Sequence, residues 1–135
     1  MISCIYVEGD ILFAEGDPSG DQHDLNGADY AWFVDNGYMT RECTPHPSFT
    51  DIVGSPLIVT KREDRLHLRA IVGDPHFITL FENKASLGFA LAGVIKEREG
   101  SLVKKLEIKS VAIVPANQLV DPRCVCVCTL VEDEE

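Results

Sequence analysis

A serine hydroxyl is a weak nucleophile until a base within hydrogen-bond reach takes its proton. An imidazole, which titrates near neutrality, suits that task best. The chain carries four histidines, His23, His46, His67 and His76, and one serine in an unusual setting, Ser86. Ser86 opens the run A-S-L-G-F-A-L-A-G-V-I-K-E-R over residues 85–98. Read with period two, Leu87, Phe89, Leu91, Gly93 and Ile95 share one face, and Ser86, Gly88, Ala90, Ala92 and Val94 share the other. Small side chains on one face let a second molecule approach the backbone closely, and glycine inside a strand often marks such a place.

Metal chemistry has weaker support. Cys43 and His46 have C-x-x-H spacing, with His23, His67 and His76 available to complete a zinc site, but no second pair has ligand spacing. In the run C-V-C-V-C, Cys124, Cys126 and Cys128 would project to one face of a strand at intervals of about 6.6 Å. That spacing suits packing better than a tetrahedral clamp. The acidic stretch G-D-P-S-G-D-Q-H-D over residues 16–24 lacks the ligand register and closing glutamate of a calcium-binding EF-hand, and reads as turn chemistry. There is no G-x-S-x-G elbow, phosphate-cradling glycine loop or dinucleotide fingerprint. No cofactor and no metal are expected.

The elements that would position these groups follow from patterning. Residues 2–7 and 10–14 read as two short strands broken at Glu8-Gly9. A helix is predicted from Asn26 to a stop at Gly37, with Tyr30, Phe33 and Val34 facing the core and Trp32 at the edge of that face. Residues 41–56 hold three of the seven prolines and read as a loop with room for a short strand at its end, the kind of segment on which functional residues are often held. Residues 57–60 and 65–72 form a hairpin, with Leu66, Leu68, Ala70 and Val72 inward and Arg65, His67 and Arg69 outward. Gly73-Asp74-Pro75 starts a second helix, with Phe77, Leu80 and Phe81 as its apolar stripe. The strand over 86–98 turns at Glu99-Gly100, returns over 102–114 and stops at Pro115, which has no N–H to donate. A last strand covers 124–131.

The order of strands and helices predicts an α+β domain: a mostly antiparallel β core or open barrel with two flanking helices. One domain over residues 1–130, followed by an acidic tail over 131–135, is the expectation for 135 residues. A hydrophobic fraction of 45% and a charged fraction of 25% are those of a globular protein. The net charge of −10, from 22 acidic and 12 basic residues, disfavours nonspecific nucleic-acid binding and favours a basic partner surface. No stretch approaches the ~20 apolar residues of a membrane helix, and no secretory leader opens the chain. Five cysteines without scaffold spacing fit a reducing compartment.

Several motifs, taken in order, carry a resemblance. S-L-G-F at residues 86–89, with P-A-N at 115–117 closing the following β-rich run, resembles the prohead (capsid-maturation) serine proteases of tailed bacteriophages. H-P-S-F-T-D-I-V-G-S-P-L at 46–57 and R-L-H-L-R-A-I-V-G-D at 65–74 resemble the segment around that family's histidine. Residues 15–37 resemble its N-terminal part. The resemblance implies a fold similar to herpesvirus assemblin and a self-associating, homodimeric protein. It also implies cleavage of scaffold and capsid-protein segments in the host cytoplasm, within an assembling procapsid, with no cofactor. His46 takes the place of the general base. The nucleophile's place falls on Ser86 in one branch of the family. In the other branch, whose pattern is L-G-F-S followed by two residues and glycine, it falls on Ala90, because this chain reads L-G-F-A-L-A-G over 87–93. Glu107 is the nearest acidic residue for the third position, with His67 and His76 as alternatives. A second reading keeps the fold without the chemistry, as a capsid-assembly or decoration component.

Overall fold

Most of the chain is drawn into one sheet by alternating side chains and by glycines at points of close backbone approach. The computed structural model describes residues 3–44, 48–119 and 121–132. Strand β1 (Ser3–Phe13) runs unbroken through the expected interruption at Glu8-Gly9. A Cβ on Gly9 would lie 3.0 Å from the Val125 carbonyl oxygen, so this glycine lets a crossing segment pass and does not end a strand.

No helix begins at Asn26. Asp24 caps a single 3-10 turn over Leu25–Gly27 by accepting the Asn26 amide at 3.0 Å. Short pieces of strand lie on either side of it: β2 (Gln22–His23) before it and β3 (Ala28–Asp29) after it. Helix α1 then occupies only Ala31–Asn36, with Phe33 fully buried and Gly37 as the stop. Trp32 is exposed, and the ammonium of Lys109 lies 5.2 Å from its ring centre. Next come β4 (Met39–Thr40), β5 (Ile52–Lys61) and β6 (Arg65–Val72).

β5 begins five residues before the expected strand start at Leu57. Its Pro56 adjoins an irregularity in the β5–β6 register, where a missing N–H is tolerated. The inward row of β6, Leu66, Leu68, Ala70 and Val72, is completely buried, as its alternation predicts. Helix α2 (Pro75–Glu82) has the predicted Asp74 cap, which accepts the His76 amide at 2.8 Å, and it buries Phe77.

Strands β7 (Leu87–Glu99) and β8 (Leu102–Pro115) form the longest hairpin, turning at Gly100 with φ 61°. A 3-10 turn over Pro122–Cys124 precedes β9 (Val127–Glu132), so Cys124 lies ahead of that strand and not within it. β9 takes in the first two residues of the expected tail; residues 133–135 lie outside the described residues.

The result is an α+β domain, mostly strand, with two helices. One edge of β8 pairs antiparallel with β7, and the other carries β2, β3 and β4 in succession, all parallel. From β4 the sheet continues through β5, β6 and β1 to β9. The buried core includes Ile5, Val7, Leu66, Leu68, Phe89, Ile108, Val111 and Ile113. Among the described residues the two ends of the sheet meet only at an isolated bridge between Gly88 and Val125, so the sheet stays open.

Candidate functional site: a notch beside strand β7

The direction of each peptide group in β7 can be read from its partners. The Ser86 carbonyl accepts the Ala116 amide at 2.8 Å, so even-numbered residues at this end turn their peptide groups toward β8. The Leu87 carbonyl accepts the Cys126 amide at 2.8 Å, and the Leu91 carbonyl accepts the Cys43 thiol at 3.3 Å. Odd-numbered residues from Leu87 to Leu91 therefore turn theirs away from β8. Leu87 stands opposite Pro115, a pair in which a missing N–H loses no ladder bond. The hairpin ladder thus extends one step past the proline.

A cleft of about 370 Å³ lies between β1 and β7. Ile11, Leu12 and Phe13 of β1 form one wall, and Phe89, Ala90, Leu91, Gly93 and Ile95 of β7 form the other, with Leu106 and Cys124 also lining it. Four of these five β7 residues are odd-numbered, so the cleft lies mainly against the face that carries Phe89, Leu91, Gly93 and Ile95. Its polar rim comes from the loop between β1 and β2 (Asp17, Ser19 and Asp21), from His23 of β2, from Cys43, and from Asp121.

That loop is tied down from within. Asp17 Oδ1 accepts the amides of Ser19 at 2.9 Å and Asp21 at 3.1 Å, while its Oδ2 lies 3.0 Å from His23 Nε2. Burial raises the Asp17 pKa, but the hydrogen bonds from Ser19, His23 and the backbone outweigh it and hold the carboxyl at about 2. His23 is only 8% exposed, and its Nδ1 has no hydrogen-bond partner among the described residues. At the loop's far end, Arg98 of β7 grips Asp21 through both carboxylate oxygens, at 2.7 and 2.9 Å. Arg123 likewise holds Asp121, donates to the Gly16 carbonyl at 2.6 Å and lies over the Phe13 ring at 4.0 Å. Both arginines pull their carboxylate partners below the ordinary range.

Of the residues singled out from sequence, those among the described residues are not brought together. His46 lies outside the described residues. Ser86 is exposed, precedes β7, and is not part of the cleft lining; Ala90 is. Glu107 stands opposite Val94, eight residues before Pro115 on β8, so it is roughly 26 Å along the strand from the Ser86 end at ~3.3 Å per residue. It binds the ammonium of Lys109 and lies 3.4 Å from that of Lys96, and the Lys109 bond holds its pKa down. That is an ion-pair setting, removed from both Ser86 and Ala90. His67 binds Asp10 through Nδ1 at 3.0 Å on the outer face of β6, and His76 packs edge-on against Phe77.

No known protein family, curated protein or solved structure matches this chain. Among the described residues no three histidine, cysteine or acidic side chains gather as metal ligands, and no helix is long and apolar enough to cross a membrane. Cys126 and Cys128 pack against the core and Cys124 is buried. Burial pushes the Cys124 thiol up to about 12, leaving it without thiolate character at neutral pH.

The polar loop over residues 16–24 was read from sequence only as a turn. An aspartate followed by donors at the second and fourth positions is an Asx-type signature that marks Asp17 as the organiser of such a loop. Its proximity to β7 was not visible, because it depends on Arg98, 77 residues away in sequence from Asp21.

Proposed function

We propose that this chain is a prohead-protease-type protein of phage head assembly that holds scaffold or capsid-protein segments in the cleft beside β7 without acyl transfer. The single observation carrying this reading is that Ala90, which occupies the serine's place in the L-G-F-S pattern, lines the cleft, whereas Ser86 does not. A methyl group has no proton to surrender and no lone pair with which to attack, so a base facing Ala90 has nothing to activate. The assemblin-like form of the fold, self-association and action within an assembling procapsid belong to the same proposal. The antiparallel core, the two helices and the order of the S-L-G-F and P-A-N motifs support it.

The second reading is a working peptidase with Ser86 as nucleophile and His46 as base. The exposure of Ser86 at the head of β7 favours it, since an exposed hydroxyl is reachable by substrate. Co-expression with the cognate capsid and scaffold proteins separates the two. The first reading predicts particles that contain this chain and uncleaved capsid subunits. Cleavage that disappears in Ser86→Ala would establish the second, and particles that never contain the chain would overturn both.

A further inference from the structure

We propose that the cleft between β1 and β7 is a binding site for a small, neutral, largely apolar molecule that carries one N–H or O–H donor, and that this donor bonds to Nδ1 of His23. The inference goes beyond head assembly and does not rest on it.

What points to a ligand is a buried acceptor with nothing to accept. His23 lines the cleft and is buried. Its Nε2 lies 3.0 Å from Asp17 Oδ2, and its Nδ1 has no hydrogen-bond partner among the described residues. Asp17, whose pKa is held at about 2, is a carboxylate at neutral pH and can only accept. Nε2 therefore carries the proton in that bond, and in the neutral ring the lone pair is left on Nδ1. A buried polar atom without a partner costs free energy, so a donor that reaches Nδ1 gains more there than it would from water.

The rest of the lining sets what carries the donor. Phe13, Phe89, Leu91 and Leu106 supply apolar walls, and a volume of about 370 Å³ is at the small end of the range for ligand pockets. The rim carboxylates select no cation, because Asp17, Asp21 and Asp121 are engaged by His23, Arg98 and Arg123. Those arginines are spent on the same bonds, so no anion is selected either. A neutral molecule of one or two rings fits both the charge and the size.

Nδ1 itself is shielded from solvent, so the loop over residues 16–21 has to yield as the ligand enters. Gly16 and Gly20, at φ 133° and 93°, flank Pro18 and Ser19, which line the cleft. Arg98 fastens this loop to β7 through Asp21.

The test titrates the full, isotope-labelled chain with indole and with benzofuran, which keeps the fused rings and replaces the N–H by oxygen. The expected result is shifts at cleft residues such as Phe89 and Leu106, a displaced His23 Nδ1 resonance, and an affinity for indole about fivefold to thirtyfold above that for benzofuran. His23→Phe should bind the two alike, and Arg98→Ala should take up indole faster than the native chain. Should His23→Phe fail to fold, the comparison on the native chain still decides. N-acetyltryptophanamide carries the same donor on a peptide frame. Tighter binding than indole assigns the donor to a side chain of a protein segment, weaker binding to a free molecule, and either result supports the site. Equal affinities for indole and benzofuran, an unmoved Nδ1 resonance at saturating indole, or no binding at millimolar indole overturns it. Assembled particles that never contain the chain would overturn the head-assembly reading and leave this site standing.

Discussion

Ser86 and Ala116 are joined through their backbones, carbonyl to amide at 2.8 Å, and this bond turns the first peptide group of the β7 hairpin toward β8. Ser86 is thereby held at the mouth of the hairpin, while Ala90, one full strand repeat and a further pair of residues on, lines the cleft. Ser86→Ala should leave thermal stability and peptide binding unchanged within error. Ala90→Trp should abolish binding by filling the notch while the far-ultraviolet spectrum keeps its β signature. Titration of peptides from the cognate capsid and scaffold proteins into both variants checks this, and lost binding in Ser86→Ala would contradict the placement.

The Asp17 carboxyl predicts a particular acid response. Its folded pKa of about 2 lies below the ordinary aspartate value of 3.8, so on acidification the unfolded chain binds this proton first. The stabilisation is fully present above about pH 4 and is lost as pH falls toward 2. Because the side chain is 32% exposed, solvent screening reduces the contribution to about 1 kcal/mol. Urea unfolding as a function of pH should show this slope in the native chain and a flatter profile in Asp17→Asn. Equal slopes in the two proteins would sink the assignment.

Gly27 tests the close approach of the 3-10 turn over Leu25–Gly27 to β8. A Cβ there would lie 1.6 Å from the Lys104 carbonyl oxygen, an overlap with backbone that no rotamer can relieve. Gly27→Ala should therefore destabilise the chain by about 3 kcal/mol through displacement of β3 from β8. Gly73→Ala, where a Cβ meets nothing within 4 Å, serves as the control and should change stability little. Denaturant midpoints of the two variants decide the matter, and similar values would contradict the close approach.

The long hairpins and α2 were legible because their signals are local. The alternation of β6, the Asp-Pro start of α2 and the Glu-Gly turn after β7 each lie within a few residues of the structure they specify. What was hidden depends on distant partners. Asn26 carries a helix-start signal, yet the pull of β8 on Ala28 and Asp29 takes those residues into a parallel pairing that no local pattern announces. Gly9 resembles a turn glycine and is instead a crossing point for the segment at Val125. Among site residues, Ala90 was marked by a motif and lines the cleft, whereas Glu107 was chosen for nearness in sequence to P-A-N and lies far along β8 among lysines. His23 was weighed only as a zinc ligand and Asp17 only as part of a turn, since only the folded chain sets both beside β7.

Glu107 provides a further prediction. Because it binds Lys96 and Lys109 and reaches neither Ser86 nor Ala90, Glu107→Gln should leave peptide binding and any serine reactivity unaltered. Its effect should be a small, salt-sensitive loss of stability, as for other ion pairs near the surface. A large change in reactivity with unchanged stability would place Glu107 in the chemistry after all.

The account's central claim, a cleft of the prohead-protease type that lacks its nucleophile, is tested most directly by fluorophosphonate labelling followed by mass mapping of the modified residue. The native chain should remain unlabelled, and Ala90→Ser should acquire a label at position 90 that disappears when His46→Ala is added. Labelling of the native chain at Ser86, or an Ala90→Ser variant that folds and stays inert, would contradict it.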